Sequence, residues 1–264
     1  AIKVDKYMQT NVADIFAVGD CAENVNLVTN LPAWYPMGST SNKTGRIAGH
    51  NVVNTEHMEN LEGVLGTTIV KLFDLNAAKT GLSERDARKA GLNIETILVP
   101  ATDKAHYYPG NKPIITKLIV ERSTHKILGA QIIGSGIVDK PIDIIATAMT
   151  LNAKVEDLTK LDLAYAPPFS MAMSSTIMAA NVMLNKLNNK IDTITAIDLQ
   201  VKLKDNQVNI VDVREEEECF ISAIPGTLNI PLNALSERSG EIDKSKETVI
   251  LVCKVGKRAF LAYL

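Results

Sequence analysis

Thr10-Asn-Val-Ala-Asp-Ile-Phe-Ala-Val-Gly-Asp-Cys-Ala-Glu23 is the stretch on which the reading of this chain turns. Its apolar run from Ile15 to Val18 predicts a short buried strand that breaks at Gly19 and presents Asp20. Glycine at such a break admits close backbone approach, and a carboxylate beside it can accept hydrogen bonds from a sugar-like polyol. The same residues also read as an ordinary strand, a turn and an aspartate that caps a helix.

The segment that follows narrows the choice. Trp34-Tyr-Pro-Met-Gly-Ser-Thr-Ser-Asn-Lys-Thr-Gly-Arg46 supplies a second turn and then a helix start built from small residues. Asn42, Arg46, His50 and Val53 fall at near-helical spacing, and Thr44, Gly45, Ala48 and Gly49 are small enough for close packing. A helix N-terminus over Gly38 to Ser41 favours negative charge in front of it; a capped surface helix fits the same pattern. In this order the two segments resemble the closing flavin-binding part of the pyridine-nucleotide-disulfide oxidoreductases, in particular the branch with coenzyme A disulfide reductases and NADH oxidases or peroxidases. The resemblance runs from the N-terminus to about Leu187. It implies FAD as cofactor, held through Gly19, Asp20, Pro36, Gly38 and Ser39, with Asp20 on the ribityl chain. It also implies a substrate contact from Asn42, for which a plain helix-opening asparagine is the alternative, and NADH or NADPH as reductant, bound by a domain outside this chain.

Composition agrees with a globular chain. Its 264 residues are enough for two domains, and an apolar content of 46% is ample for packed cores. Lys and Arg number 28 against 30 Asp and Glu, so there is no basic field for nucleic acid and no acidic tail. Three cysteines without a Cys-x-x-Cys pair argue against a disulfide framework or a zinc site, and for a reducing compartment. No metal is expected. No apolar run reaches the roughly 20 residues of a membrane span, and the expected location is the cytoplasm. The resembled family opens on a strand and a Gly-x-Gly-x-x-Gly turn for the flavin pyrophosphate. The sequence lacks that turn and begins with Ala1, so it is expected to be a fragment.

Lys3 to Gln9 reads as an exposed hairpin leading into the first strand, and two prolines and a glycine predict a loop from Leu31 to Gly38. From Gly63 the composition changes. Thr67 to Leu75 alternates and is β-branched, predicting a strand, and the chain then turns over Ala78 to Gly81 into a helix from Ser83-Glu84 to Gly91. Ile94 to Pro100 predicts a strand, and Thr116 to Glu121 with Ile127 to Gly134 a hairpin around Arg122 to Lys126. Helices are predicted over Lys140 to Leu151, Val155 to Lys160 and the Met- and Ala-rich Met171 to Met183, the last as a helix buried between subunits. This α+β pattern resembles the dimerisation domain of the same family and implies a homodimer. In the glutathione-reductase-like branch the late segment carries a His-Pro…Glu pair. Here it is Leu163-Ala-Tyr-Ala-Pro-Pro-Phe-Ser170, without histidine. Tyr165, together with Tyr107 in His106-Tyr-Tyr-Pro-Gly110, matches the substrate-binding tyrosines of the coenzyme A disulfide reductase and NADH oxidase branch. Phenols suit that task because a hydroxyl can hydrogen-bond a thiolate while the ring excludes water; tyrosines beside prolines are also common loop anchors.

Leu187-Asn-Asn-Lys190 is a polar linker, after which a second pattern begins. Thr195 to Leu203 predicts a helix, Asn209-Ile-Val-Asp-Val-Arg214 a buried strand, Ala223 to Pro231 an extended loop, and Thr248-Val-Ile-Leu-Val-Cys-Lys-Val-Gly-Lys-Arg258 a strand that delivers Cys253 onto a short loop. Paired in this way, Asp212-Val-Arg214 and Cys253 to Arg258 resemble the rhodanese sulfurtransferases. Backbone amides of Lys254 to Arg258 and a helix start favour negative charge on the sulfur, and Lys254, Lys257 and Arg258 attract anionic sulfur donors. Cys253 is therefore the expected catalytic thiol; Cys21 and Cys219 read as structural. The resembled family usually has a histidine where this chain has Ala223.

The fold expected is α/β and α+β multidomain: the end of an FAD-binding Rossmann-like domain over 1–62, an α+β dimerisation domain over 63–187 and a partial α/β rhodanese domain over 188–264. The implied function is that of an FAD-dependent NAD(P)H:disulfide oxidoreductase acting on coenzyme A disulfide, persulfide or polysulfide, with a sulfur-carrier domain. An NADH oxidase or peroxidase, and a dimerisation and sulfur-relay module without redox activity, are the alternatives.

Overall fold

A computed structural model describes residues 1–205, 208–246 and 248–264. The chain divides into two compact units, Ala1–Met183 and Leu184–Leu264.

The first unit opens on irregular chain. The predicted strand over Ile15 to Val18 does not form a ladder: Phe16 makes one isolated bridge to Gln9, and Ile15 is exposed. Strand formation needs a row of partners, whereas the pairing is limited to the two bonds of that bridge, from the Ala17 amide to the Met8 carbonyl and from the Thr10 amide to the Ile15 carbonyl, and the Ile15 amide turns back on the Val12 carbonyl. The expected hairpin over Lys3 to Gln9 is instead a turn, tied by Asp5, whose carboxylate accepts from the amides of Tyr7 and Gln9. β1 (Asn24–Val25) pairs antiparallel with β2 (Pro32–Ala33), the latter inside the predicted loop. Helix α1 (Gly38–Val53) follows as expected, and its Ile47 and Ala48 pack with Met8, Phe16 and Val18.

The rest of the unit is built on a five-stranded antiparallel sheet of order β3-β4-β7-β6-β5, comprising β3 (Thr68–Leu72), β4 (Leu75–Gly81), β5 (Ile94–Thr102), β6 (Pro113–Glu121) and β7 (Ile127–Gly134). The sequence reading missed the β3–β4 hairpin. The chain reverses at Phe73-Asp74, pairing Leu72 with Leu75 and Ile69 with Ala78. Two-residue hairpins normally carry glycine or asparagine, but here Phe73 takes the positive φ, so the turn leaves no ordinary signal. Helix α2 (Glu84–Lys89) was legible: Ser83 Oγ accepts from the Asp86 amide at 3.1 Å, and Gly91 ends the turn in left-handed geometry.

Register explains the two faces of this sheet. The row Val99, Thr116, Ile132 and Ala78 is buried, and α3 (Asp139–Thr150) lies against β4 and β7. One residue along each strand, Leu98, Ile115, Ile133, Val70, Leu72 and Leu75 point to the other face and are all more than 40% exposed. An apolar sheet face of this extent is uncommon on a monomer. Helices α4 (Val155–Leu158) and α5 (Ser175–Leu187) complete the unit. The last begins later than the predicted Met171, because Ser174 Oγ accepts from the Ile177 amide and caps it. Its Ala179, Ala180 and Met183 are fully buried within this chain, so the small-residue face expected to meet a partner is already covered.

In the second unit a parallel sheet of order β10-β8-β9 is formed by β8 (Val208–Asp212), β9 (Leu228–Asn229) and β10 (Thr248–Val252). Helices α6 (Ala196–Lys202), α7 (Glu216–Ile221), α8 (Leu235–Arg238) and α9 (Lys257–Tyr263) accompany it. Val211, Val213 and Ile230 form the core, with Leu251, Cys253, Ala259 and Ala262 against them.

Candidate functional site

In the first unit, Gly19–Cys21 is a 3₁₀ turn set against the start of α1. The Gly19 amide donates to Thr44 Oγ1 at 3.1 Å, and Ser41 Oγ donates to Asp20 Oδ1 at 3.0 Å. Trp34 Nε1 donates to the Asp20 carbonyl at 2.7 Å. Gly19 has φ +69°, which favours glycine, and a Cβ there would crowd Ser41 Oγ at 3.3 Å. Asp20 Oδ2 faces out with no partner among the described residues. Helix α1 opens after Met37 without a side-chain cap, and nothing stands within 4 Å of where a Gly38 Cβ would be. The first amides of this sixteen-residue helix are therefore left without a side-chain cap. Pro36, Gly38, Ser39 and Asn42 are all exposed around that opening. Asp20, the free amides of α1 and the open space before Gly38 suit a polyol joined to an electron-rich ring, so the residues fit FAD. Of the two residues that fix the corner, Thr44 was read from sequence only as a small packing residue and Ser41 only as part of the helix start; their spacing of three residues, which puts both on one face of α1, was the signal.

Tyr107 and Tyr165 come together. Tyr107 rides on the loop between β5 and β6, edge-on to His106 with ring centroids 5.3 Å apart. The Tyr165 segment lies beside that loop, the Ala105 amide donating to the Pro167 carbonyl at 3.3 Å. The Tyr107 hydroxyl, and then burial, pushes the Tyr165 phenol above its ordinary range, which favours its protonated form. Both rings remain substantially exposed.

In the second unit Cys253 follows β10 directly. Its Sγ accepts from the Gly256 amide at 3.1 Å and the Ala259 amide at 3.4 Å, at the start of α9. Gly256, with φ +87°, makes the turn that aims these amides. Gly256 lies within the expected run of Lys254 to Arg258, and Ala259 lies one residue beyond it. Arg258 is also not a free cation: Glu218 of α7 takes both guanidinium branches and is itself held down to about 2 by that contact. Lys254 and Lys257 are exposed near the thiol.

Comparison with known proteins bears on all of these. The pyridine nucleotide-disulphide oxidoreductase dimerisation domain matches residues 67–177, and the pyridine nucleotide-disulphide oxidoreductase domain matches residues 1–33. Over these residues the chain carries domains of this oxidoreductase family. Residues 195–264 match the rhodanese-like domain. Among curated relatives, the NAD(P)H sulfur oxidoreductase (CoA-dependent) of Pyrococcus abyssi is 38% identical over 69% of the chain and 40% of its own length. The coenzyme A disulfide reductase of Staphylococcus epidermidis is 33% identical over 64% of the chain and 38% of its own length. The chain thus spans well under half of the curated relatives it matches. A solved NAD-dependent persulfide reductase from A. fulgidus superposes on 99% of the chain and 47% of its own, with 41% identity and a TM-score of 0.90.

The other thiol of the second unit, Cys219, is half-buried. Burial, and then the Asp212 carboxylate, pushes the Cys219 thiol up. Asp212 is fully buried; burial opposes its charge, but the Arg214 guanidinium, chelating both oxygens, holds it below the usual carboxylate range. The Asp-Val-Arg signal is therefore structural support for the β8 end. Cys21 is exposed, contrary to its reading as structural, and its thiol donates to the Val18 carbonyl. No helix among the described residues is long and apolar enough to cross a membrane.

Proposed function

We propose that this chain is the C-terminal part of an FAD-dependent NAD(P)H:disulfide oxidoreductase whose rhodanese-like domain carries sulfane sulfur, with coenzyme A disulfide, persulfide or polysulfide as substrate. The observation that carries the reading is the Cys253 sulfur held by two amides at a helix start, in one chain with the oxidoreductase dimerisation domain. The domains divide at 1–62, 63–187 and 188–264. Bound FAD supplies two-electron transfer from NADH or NADPH toward a disulfide. For that group Asp20 accepts hydrogen bonds from the polyol, Gly19 lets it approach, Gly38 and Ser39 present the first amides of α1, and Pro36 shapes the loop in front of them. Asn42, Tyr107 and Tyr165 contact the substrate, the two phenols donating hydrogen bonds to its sulfur or oxygen while their rings exclude water.

At Cys253 the thiolate attacks the outer sulfur of a sulfane donor. A new S–S bond forms, the donor's bond to that sulfur breaks, and the electron pair leaves with the donor. The amides of Gly256 and Ala259 hold the sulfur charge, and Lys254 and Lys257 draw in an anionic donor. The chain works as a homodimer through the exposed apolar face of the five-stranded sheet, in the cytoplasm. The names of the relatives support this substrate class over an NADH oxidase. The test is the visible spectrum of the longer protein that carries this chain: flavin bands that bleach anaerobically on adding NADH or NADPH are expected, and a colourless protein overturns the proposal.

A further inference from the structure

The loop that carries Tyr107 is fastened at its base by one side chain. The Asp103 amide donates to the Lys112 carbonyl at 3.0 Å, and Asp103 Oδ1 accepts from the Lys112 amide at 2.8 Å, closing the loop. Its other oxygen, Oδ2, accepts from the Ile137 amide at 3.1 Å, in the turn between β7 and α3. Gly136 makes room: a Cβ there would lie 2.9 Å from the Asp103 carboxyl carbon and 2.9 Å from the Lys112 carbonyl oxygen. Within the loop, Asn111 Nδ2 donates to the carbonyls of His106 and Tyr108 at 3.0 and 2.9 Å, fixing the backbone on either side of Tyr107. The second tyrosine hangs from the same turn. Lys140, in the first turn of α3, donates through Nζ to the carbonyl of Ala164, next to Tyr165.

We propose that Asp103, seated against Gly136, is a positioning residue that sets the Tyr107 and Tyr165 hydroxyls against each other by fastening the Tyr107 loop to the turn whose helix holds the Tyr165 segment. An aspartate is needed because two backbone amides converge from different elements, and only a carboxylate offers an acceptor to each without presenting a donor. Asparagine would turn its NH₂ toward one of them. The role of the pair in substrate contact rests on the function proposed above; the fastening does not.

Titration of the six tyrosines in the full 264-residue chain, each observed separately by NMR of ¹³Cζ-labelled tyrosine, tests the inference. Charged groups on the elements carrying the pair are Asp103, Lys104, His106 and Lys112, Asp162, and Asp139, Lys140 and Asp143; all but Asp103 stay in place throughout. Tyr107→Phe lowers the Tyr165 midpoint by removing its partner. Asp103→Ala and Gly136→Ala are expected to reproduce that fall, with Tyr7, Tyr35 and Tyr263 unmoved. Gly136→Ala leaves every charge in place, so a fall there is not the electrostatic loss of Asp103, and it carries the test if Asp103→Ala fails to fold. A Tyr165 midpoint unchanged in folded Gly136→Ala, or unchanged in Tyr107→Phe, overturns the inference, even if Tm drops. If instead the midpoints move as expected while Tyr165→Phe leaves turnover of the longer protein intact, the fastening stands and the substrate role is lost.

Discussion

Asp20→Ala tests the flavin corner most finely. In the structure Oδ1 is already committed to Ser41, which leaves Oδ2 as the oxygen aimed at a ligand. The substitution should therefore cost the flavin one charge-assisted hydrogen bond, about 1.5–3 kcal/mol, or roughly a 10- to 150-fold weaker Kd. Asp20→Asn keeps an acceptor without the charge and should fall between the wild type and alanine. Ser41→Ala frees Oδ1 and removes only orientation, so its effect should be smaller than either. Flavin Kd, measured by fluorescence quenching on the longer protein after apoprotein preparation, gives the order. Equal affinity in wild type and Asp20→Ala, with the fold intact by circular dichroism, would remove Asp20 from the site.

Limiting iodoacetamide at neutral pH, read by mass spectrometry, should label Cys253 well before Cys219, whose thiol is held protonated by burial and the Asp212 carboxylate; the reverse order undoes the assignment. Leu118→Ala, at a fully buried position in the middle of the sheet, should lose about 2–5 kcal/mol in urea unfolding, whereas Leu98→Ala on the exposed face should leave monomer stability nearly unchanged. Leu72→Glu on that same face should shift sedimentation of the longer protein from dimer toward monomer, and an unaltered dimer excludes the face. Burial raises the Glu156 carboxyl but its contact with His125 outweighs this, so the folded group sits below its ordinary range. Its stabilisation is then present above the unfolded carboxylate pKa and lost as pH falls through the lower folded value. The urea midpoint gap between wild type and Glu156→Gln should accordingly be seen at neutral pH and close in acid.

What the sequence made legible was local chemistry. Ser83 and Gly91 bounded α2 because a cap and a left-handed end leave residue-level marks, and Cys253 was marked by the strand, glycine and cations around it. The β3–β4 turn was not legible, since Phe73 takes a conformation that side chains of its kind rarely adopt. Ile15 to Val18 looked like a strand by hydrophobicity alone, but the Ile15 amide found a turn partner in Val12 and the pairing stops at one bridge. Tyr107 and Tyr165 were each picked by resemblance; that they touch depends on Asp103, Gly136 and Lys140, contacts made across long separations that no periodicity encodes. In the same way Arg258 looked like a free cation until Glu218 was found to hold it.

The central claim is that sulfur carried on Cys253 feeds a flavin-dependent reduction. It is tested by loading the longer protein with sulfane sulfur from thiosulfate, removing the excess, confirming by mass spectrometry that Cys253 has gained one sulfur, and adding NADH or NADPH anaerobically. Stoichiometric sulfide release that is abolished in Cys253→Ser is the predicted result. Failure of Cys253 to accept sulfur, or equal sulfide release from the Cys253→Ser protein, would contradict it.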